Sequence, residues 1–186
     1  MKIIRRSEYH ILPWKNGLGT TELIAIDFNE PFNWRLSAAT INSPNFFSEY
    51  PGYKRWLTIW TGNGLLLNEY KLIYGIAHEF YGDEKIHCKN LSPEVIDIGL
   101  IYNPKKVSAK MEIIQLSSKD DNTSIELSSQ LSFLFVCQGT IETNMEILDE
   151  GDTLKSEKPQ KINLKLKTLS TDLVLITIDQ ANPVFK

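Results

Sequence analysis

At 186 residues and 21.3 kDa, with 42% hydrophobic and 23% charged residues, the chain is long enough for one domain or two small packed lobes and has a globular composition. The net charge of -3 leaves no basic excess for counterion release, which excludes nucleic acid as a partner class. No apolar run approaches the roughly 20 residues that cross a bilayer, and the opening MKIIRRSEYH lacks an apolar signal core, so the expectation is a cytoplasmic protein with no membrane partner.

Helical periodicity is scarce, and short apolar runs bounded by Gly, Pro, Asn and Asp recur from end to end. In chain order the predicted strands are KIIRR (2–6), TTELIAIDF (20–28), NWRLSAATI (33–41), KRWLTIWTG (54–62), GLLLNEY (64–70), KLIYGI (71–76), EVIDIGLIY (94–102), SAKMEIIQL (108–116), LSFLFVCQG (131–139), TIETNMEIL (140–148), KINLKLKTL (161–169) and DLVLITID (172–179). Short strands at this spacing predict an all-β fold, a closed or sandwiched barrel, and not a parallel α/β sheet. A weak internal echo divides it. WLTIWTGNGLLL followed by FYGDEK, and FLFVCQGTIE followed by DEGDTLK, both run strand, Gly turn, strand, Gly-Asp turn. Two similar β modules in one unit are therefore expected: an N-terminal lobe over 1–116, a polar connecting loop over 117–130 and a smaller lobe over 131–186, with strands exchanged between them.

The first candidate chemistry lies in HILPWKNGLGTTELIAI (10–26). Pro13 and Asn16-Gly17 read as turn residues, but Glu22 shares a predicted strand side with Ile24 and Ile26, so it is either exposed at a strand end or buried with a partner. In NWRLSAATI, alternation puts Arg35, Ser37, Ala39 and Ile41 on one face. Small residues around one arginine line a cavity better than they fill a core. Arg55 begins a second such row with Leu57 and Ile59. Either arginine alone also fits a rim position, its stem lying over apolar surface. Together, Lys15, Arg35 and Arg55 supply cations, Asn16, Thr20, Thr21 and Ser37 supply neutral groups, and Glu22 supplies an anion that orients an arginine or receives an amine. The planar guanidinium fork matches a carboxylate, so the guest this set suits is a small carboxylic acid or amino-acid derivative. Trp14, Trp34, Trp56 and Trp60 either add an aromatic wall or belong to the core.

Other chemistries find little support. His10, His78 and His87 show no HxH or HxxxH spacing, there is no GxSxG, P-loop or GxGxxG, and Cys88 and Cys137 lack a CxxC partner and read as two reduced, buried thiols. No metal, cofactor or catalytic residue is assigned.

PWKNGLGTTELIAI, FNWRLSAATI, FFSEYPGYKRWLTIWTGNGLLL and HEFYGDEKI together resemble the HutD/Ves family, whose pattern runs roughly WKNGGGxTxEIA, WRLSxA, FSxFPGxxRxL, FxGD and DxN. The matching positions are Trp14, Lys15, Asn16, Gly17, Gly19, Thr20, Glu22, Trp34, Arg35, Ser37, Phe47, Ser48, Pro51, Gly52, Arg55, Phe80, Gly82, Asp83 and Asp97. Leu18 stands where the pattern has glycine, and Gly99 where it has the asparagine after Asp97. The resemblance implies a bicupin with its pocket in the N-terminal lobe and no cupin metal triad. It also implies a link to histidine utilisation or stress response, with no reaction attached.

The leading expectation is metal-independent binding of a small anionic metabolite by Trp14, Lys15, Asn16, Thr20, Glu22, Arg35, Ser37, Arg55 and Asp97. An isomerase or hydrolase using Glu22 or Asp97 as a buried general base is the alternative. A third reading is an interaction or homodimerisation module docking through Phe46, Phe47, Tyr50 and Tyr53.

Overall fold

The computed structural model describes residues 1–14, 17–120 and 122–181. It consists almost wholly of strands: β1 (Lys2–Ile4), β2 (His10–Pro13), β3 (Gly19–Ile26), β4 (Trp34–Ile41), β5 (Asn45–Phe46), β6 (Lys54–Thr61), β7 (Leu65–Leu67), β8 (Tyr70–Leu72), β9 (Ala77–Tyr81), β10 (His87–Asn90) and β11 (Val95–Tyr102) in the first part, then β12 (Val107–Ser117), β13 (Thr123–Leu127), β14 (Leu131–Gln138), β15 (Ile141–Thr143), β16 (Ile147–Leu148), β17 (Thr153–Ser156), β18 (Gln160–Leu166) and β19 (Ser170–Gln180). No helix among the described residues is long and apolar enough to cross a membrane. The all-β expectation is met.

Contacts divide the chain into two compact units, residues 9–107 and residues 1–8 with 108–186. The boundary falls nine residues before the predicted 116, because β12 pairs within the second sheet system and not the first. Residues 1–8 belong to the second unit through β1, which pairs antiparallel with β17, Ile3 opposite Leu154.

The unit 9–107 has a six-stranded sheet in the order β2-β3-β4-β11-β6-β9 and a four-stranded sheet in the order β5-β10-β7-β8. Their facing side chains form one core, in which Ile41, Leu57, Ile59 and Val95 of the larger sheet pack with Leu65, Leu67, Leu72 and Cys88 of the smaller. The strand β2 carries Pro13 at the sheet edge, where a missing N–H costs no ladder bond. Beyond it Gly17 has φ 71° and its N–H donates to Trp14 O at 3.0 Å, while Lys15 and Asn16 of the predicted turn lie outside the described residues.

The unit 1–8 with 108–186 has sheets β1-β17-β14-β19-β12 and β13-β18-β15-β16. Its core is filled by Leu134, Val136, Leu154, Ile162, Leu164 and Leu173, each fully buried. Beside it Arg5 donates to Asp152 Oδ2 at 2.7 Å and pairs with Glu146, and the Arg6 N–H donates to Asp152 Oδ1 at 3.1 Å. The Gly-Asp echo is thus unequal: Asp152 is buried and fixes the N-terminal segment, whereas Asp83 is exposed.

Two expectations need correction. The stretch 117–130 is not a plain loop: β13 lies within it, paired to β18, because Ile125 and Leu127 alternate with polar residues and bury. TIETNMEIL is not one strand but the hairpin β15–β16, turned where Thr143 Oγ1 accepts from the N–H groups of Met145 and Glu146.

Candidate functional site

The cavity face of unit 9–107 is written by the register of three adjacent strands. β11 runs antiparallel between β4 and β6, which aligns Arg35–Ile101–Arg55, Ser37–Gly99–Leu57 and Ala39–Asp97–Ile59 as successive cross-strand rows. Towards β6 the space above these rows is filled by the apolar core. Towards β4 it is not, since Ser37, Ala39 and Gly99 bring almost no side-chain volume. A cavity of about 460 Å³ remains, lined by these small residues, both arginines, Asp97 and Trp14.

Arg35 and Arg55 stand two inter-strand spacings apart, about 10 Å at Cα, and Tyr50 lies between their heads. Arg35 Nη2 donates to Tyr50 Oη at 2.9 Å, and its guanidinium carbon lies 5.3 Å from the Tyr50 ring centroid and 5.5 Å from that of Phe32. The Arg55 carbon lies 6.0 Å from the same Tyr50 ring, 4.7 Å from Phe47 and 5.2 Å from Phe80. Aromatic faces stabilise the two cations without neutralising them. Arg35 Nε is buried and has no hydrogen-bond partner among the described residues, and Arg55 Nη1 makes only a long 3.4 Å approach to Ser48 O among them. Burial lowers the pKa of Arg55, Asp97 offsets part of this, and the like charge of Arg35 adds to it.

Tyr50 belongs to no strand. Its N–H donates to Gly82 O at 2.6 Å, the Gly82 N–H donates to Tyr53 O at 2.8 Å, and a Cβ on Gly82 would lie 2.6 Å from Tyr50 O. Only a glycine permits that approach.

Asp97 is 3% exposed, at a bulge in the β11–β6 ladder, with its side chain on the cavity floor. Burial pushes its carboxyl up to about 7, with Arg55 acting in the opposite sense. Among the described residues no hydrogen bond to its carboxylate is present.

Of the residues predicted from sequence, Trp14, Arg35, Ser37, Arg55 and Asp97 come together around the cavity. Lys15 and Asn16 lie outside the described residues. Thr20 and Glu22 do not line it, whereas Thr21 does, its Oγ1 accepting from Trp14 Nε1 at 2.8 Å. The ladder between β3 and β4 has a bulge between Leu23 and Ala25, so Glu22 opposes Ala38 while Ile26 opposes Arg35. That bulge reverses the alternation on which Glu22 and Ile26 shared a side. Glu22 stands on the face away from the cavity, half-buried and opposite Ile11 on its other flank. Trp34, Trp56 and Trp60 are likewise not part of the lining. The third reading had Phe47 and Tyr50 as exposed docking aromatics; both line the cavity, and Phe46 is exposed at its rim. No group of three or more His, Cys, Asp and Glu residues that could hold a metal occurs among the described residues.

The HutD family profile matches residues 6–174. The chain is 31% identical over 153 residues to an "Uncharacterized 21.2 kDa protein in hutC 3'region" of Pseudomonas putida, 78% of each chain being covered. It is also similar to the solved structure of HutD from Pseudomonas fluorescens SBW25, described as a formate condition, with TM-score 0.83, 26% identity and coverage of 97% of this chain and 99% of that one. The bacterial pirin YhhW of Escherichia coli, solved in complex with nickel(II), superposes at TM-score 0.65 with 11% identity over 96% of this chain and 99% of that one, a likeness of fold alone.

Proposed function

Because the chain belongs to the HutD family, we propose that it binds a small carboxylate, a metabolite acid or amino-acid derivative, in the cavity between Arg35 and Arg55, without a metal. The observation that carries this is the Arg35–Ile101–Arg55 row, two cations held on aromatic faces, one with a buried Nε that no described residue satisfies. A bidentate carboxylate supplies acceptors that the aromatic rings do not. Ser37 offers a hydroxyl beside the clamp and Trp14 an apolar wall. Binding without turnover would make the protein a sensor or buffer of that metabolite in the cytoplasm. The description of the P. putida relative as lying beside hutC and the name of the P. fluorescens structure support a regulatory place in histidine utilisation. Thermal-shift measurement against sodium salts of small mono- and dicarboxylates tests it: at least one raises the melting temperature of the native chain and not of Arg35→Ala. A flat response from the whole panel removes the proposal.

One observation favours a second reading, an isomerase or hydrolase. A carboxyl held near neutrality on a cavity floor has the poise of a general base. Turnover of a binding acid by the native chain and not by Asp97→Asn would establish it.

A further inference from the structure

The cavity floor carries one acid whose position the carboxylate clamp leaves unexplained. Asp97 is 3% exposed, yet it lines the same space as the two arginines. Its Oδ1 lies 3.7 Å from where a Cβ on Gly99 would sit, so the carboxyl leans over the side-chain-free middle row, towards the row of the clamp. A second anion entering here would meet an ionised Asp97 in a poorly solvated space, where like charges repel strongly. The repulsion vanishes when Asp97 is protonated, and the carboxylic acid then becomes an O–H donor facing the bound acceptor.

We infer that Asp97 serves the site as the neutral acid, donating its proton in a hydrogen bond to the bound anion, so that the cavity takes up one proton with each carboxylate. This rests on the carboxylate-binding reading above and adds the proton linkage of that site. The step is a balanced association: the anion leaves water, one proton moves from solvent to an Asp97 oxygen, and no covalent bond of the ligand changes. The surroundings agree. Arg55 from β6 and Cys88 from β10 interact electrostatically with Asp97, and Arg35 from β4 and the Tyr50 phenol line the same cavity. Burial pushes the Cys88 thiol up to about 12, so it stays neutral through the physiological range. Burial likewise holds the Asp97 carboxyl at about 7 before any ligand arrives, and a bound anion raises it further.

Acetate is a suitable probe because it is fully ionised above pH 6. Its dissociation constant for the full-length protein is to be measured by NMR titration at pH 6.0 and 8.0 at constant ionic strength. With an Asp97 value near 7 in the free protein, the constant rises about tenfold between the two, and Asp97→Asn removes the rise. The variant also separates Asp97 from His87, whose ring lies tilted against Phe46 at the rim, 4.8 Å between centroids. Should Asp97→Asn not fold, the carbon-13 shift of the Asp97 carboxyl in the native protein gives the same information, since its midpoint moves upward when acetate is added. Binding with equal constants at both pH values overturns the proton linkage and leaves the carboxylate reading standing. No binding at either pH overturns both.

Discussion

Asp97 and Gly99 are successive cavity-facing residues of β11, and the Asp97 carboxylate occupies the space above Gly99, 3.7 Å from the position a Cβ would take. The nearest other atom to that position is Leu57 Cδ1 at 3.4 Å, an ordinary contact, so a methyl group fits the floor without moving backbone. Gly99→Ala is therefore expected to fold with stability within about 1 kcal/mol of the native chain. It narrows the middle row between clamp and acid, and carboxylate affinity should drop several-fold. Chemical denaturation with calorimetric titration checks both halves.

Gly82 acts on the clamp from outside the cavity. A Cβ there would lie 2.6 Å from Tyr50 O and 3.0 Å from Tyr53 O, both backbone atoms, so Gly82→Ala must move the segment that carries Tyr50. The expected outcome is a loss of about 2 kcal/mol in stability together with a roughly tenfold loss of carboxylate affinity. Tyr50→Phe keeps the ring between the arginines and removes only the 2.9 Å bond from Arg35, so its affinity should change far less.

Asp97 also sets a pH dependence of folding. Its carboxyl titrates near 7 in the folded protein and near 4 in the unfolded chain, so between about pH 4 and 7 the folded state binds the extra proton and stability falls as pH rises. The full window is worth about 3 to 4 kcal/mol. Asp97→Asn should flatten the stability curve there and leave the variant more stable than the native chain at pH 8, as read from urea denaturation across pH.

In the second unit Asp152 accepts from the Arg5 guanidinium, the Arg6 N–H and the Asp149 N–H while 7% exposed. Asp152→Ala leaves these donors unmatched and should cost about 2 to 3 kcal/mol. It lies in the other compact unit, so carboxylate affinity of the folded fraction should not change.

The arginine row was legible because strand period and register are simple where no bulge intervenes: alternation in NWRLSAATI and KRWLTIW puts Arg35, Ser37 and Arg55 on the inward face, and the ladders through β11 keep them there. Glu22 was misplaced because the extra residue at Ile24 reverses the face of everything beyond it, and nothing in TTELIAI marks the bulge. Tyr50 entered only the docking alternative because its segment lacks a strand period, and its N–H bond to Gly82 O joins residues far apart in the chain. The strand β13 was hidden for a compositional reason, two buried residues set among Ser, Asp and Thr. Leu18 departs from the family glycine and keeps a backbone tie that either residue could make, its carbonyl accepting from the Asn42 N–H at 3.1 Å.

The most direct test of the carboxylate site is a crystal structure grown with an acid that raises the melting temperature. Its carboxylate oxygens are expected within about 2.7 to 3.0 Å of guanidinium nitrogens of Arg35 or Arg55, above Ile101. Density for that acid only elsewhere on the chain, with the space beside the two arginines holding solvent alone, would contradict it.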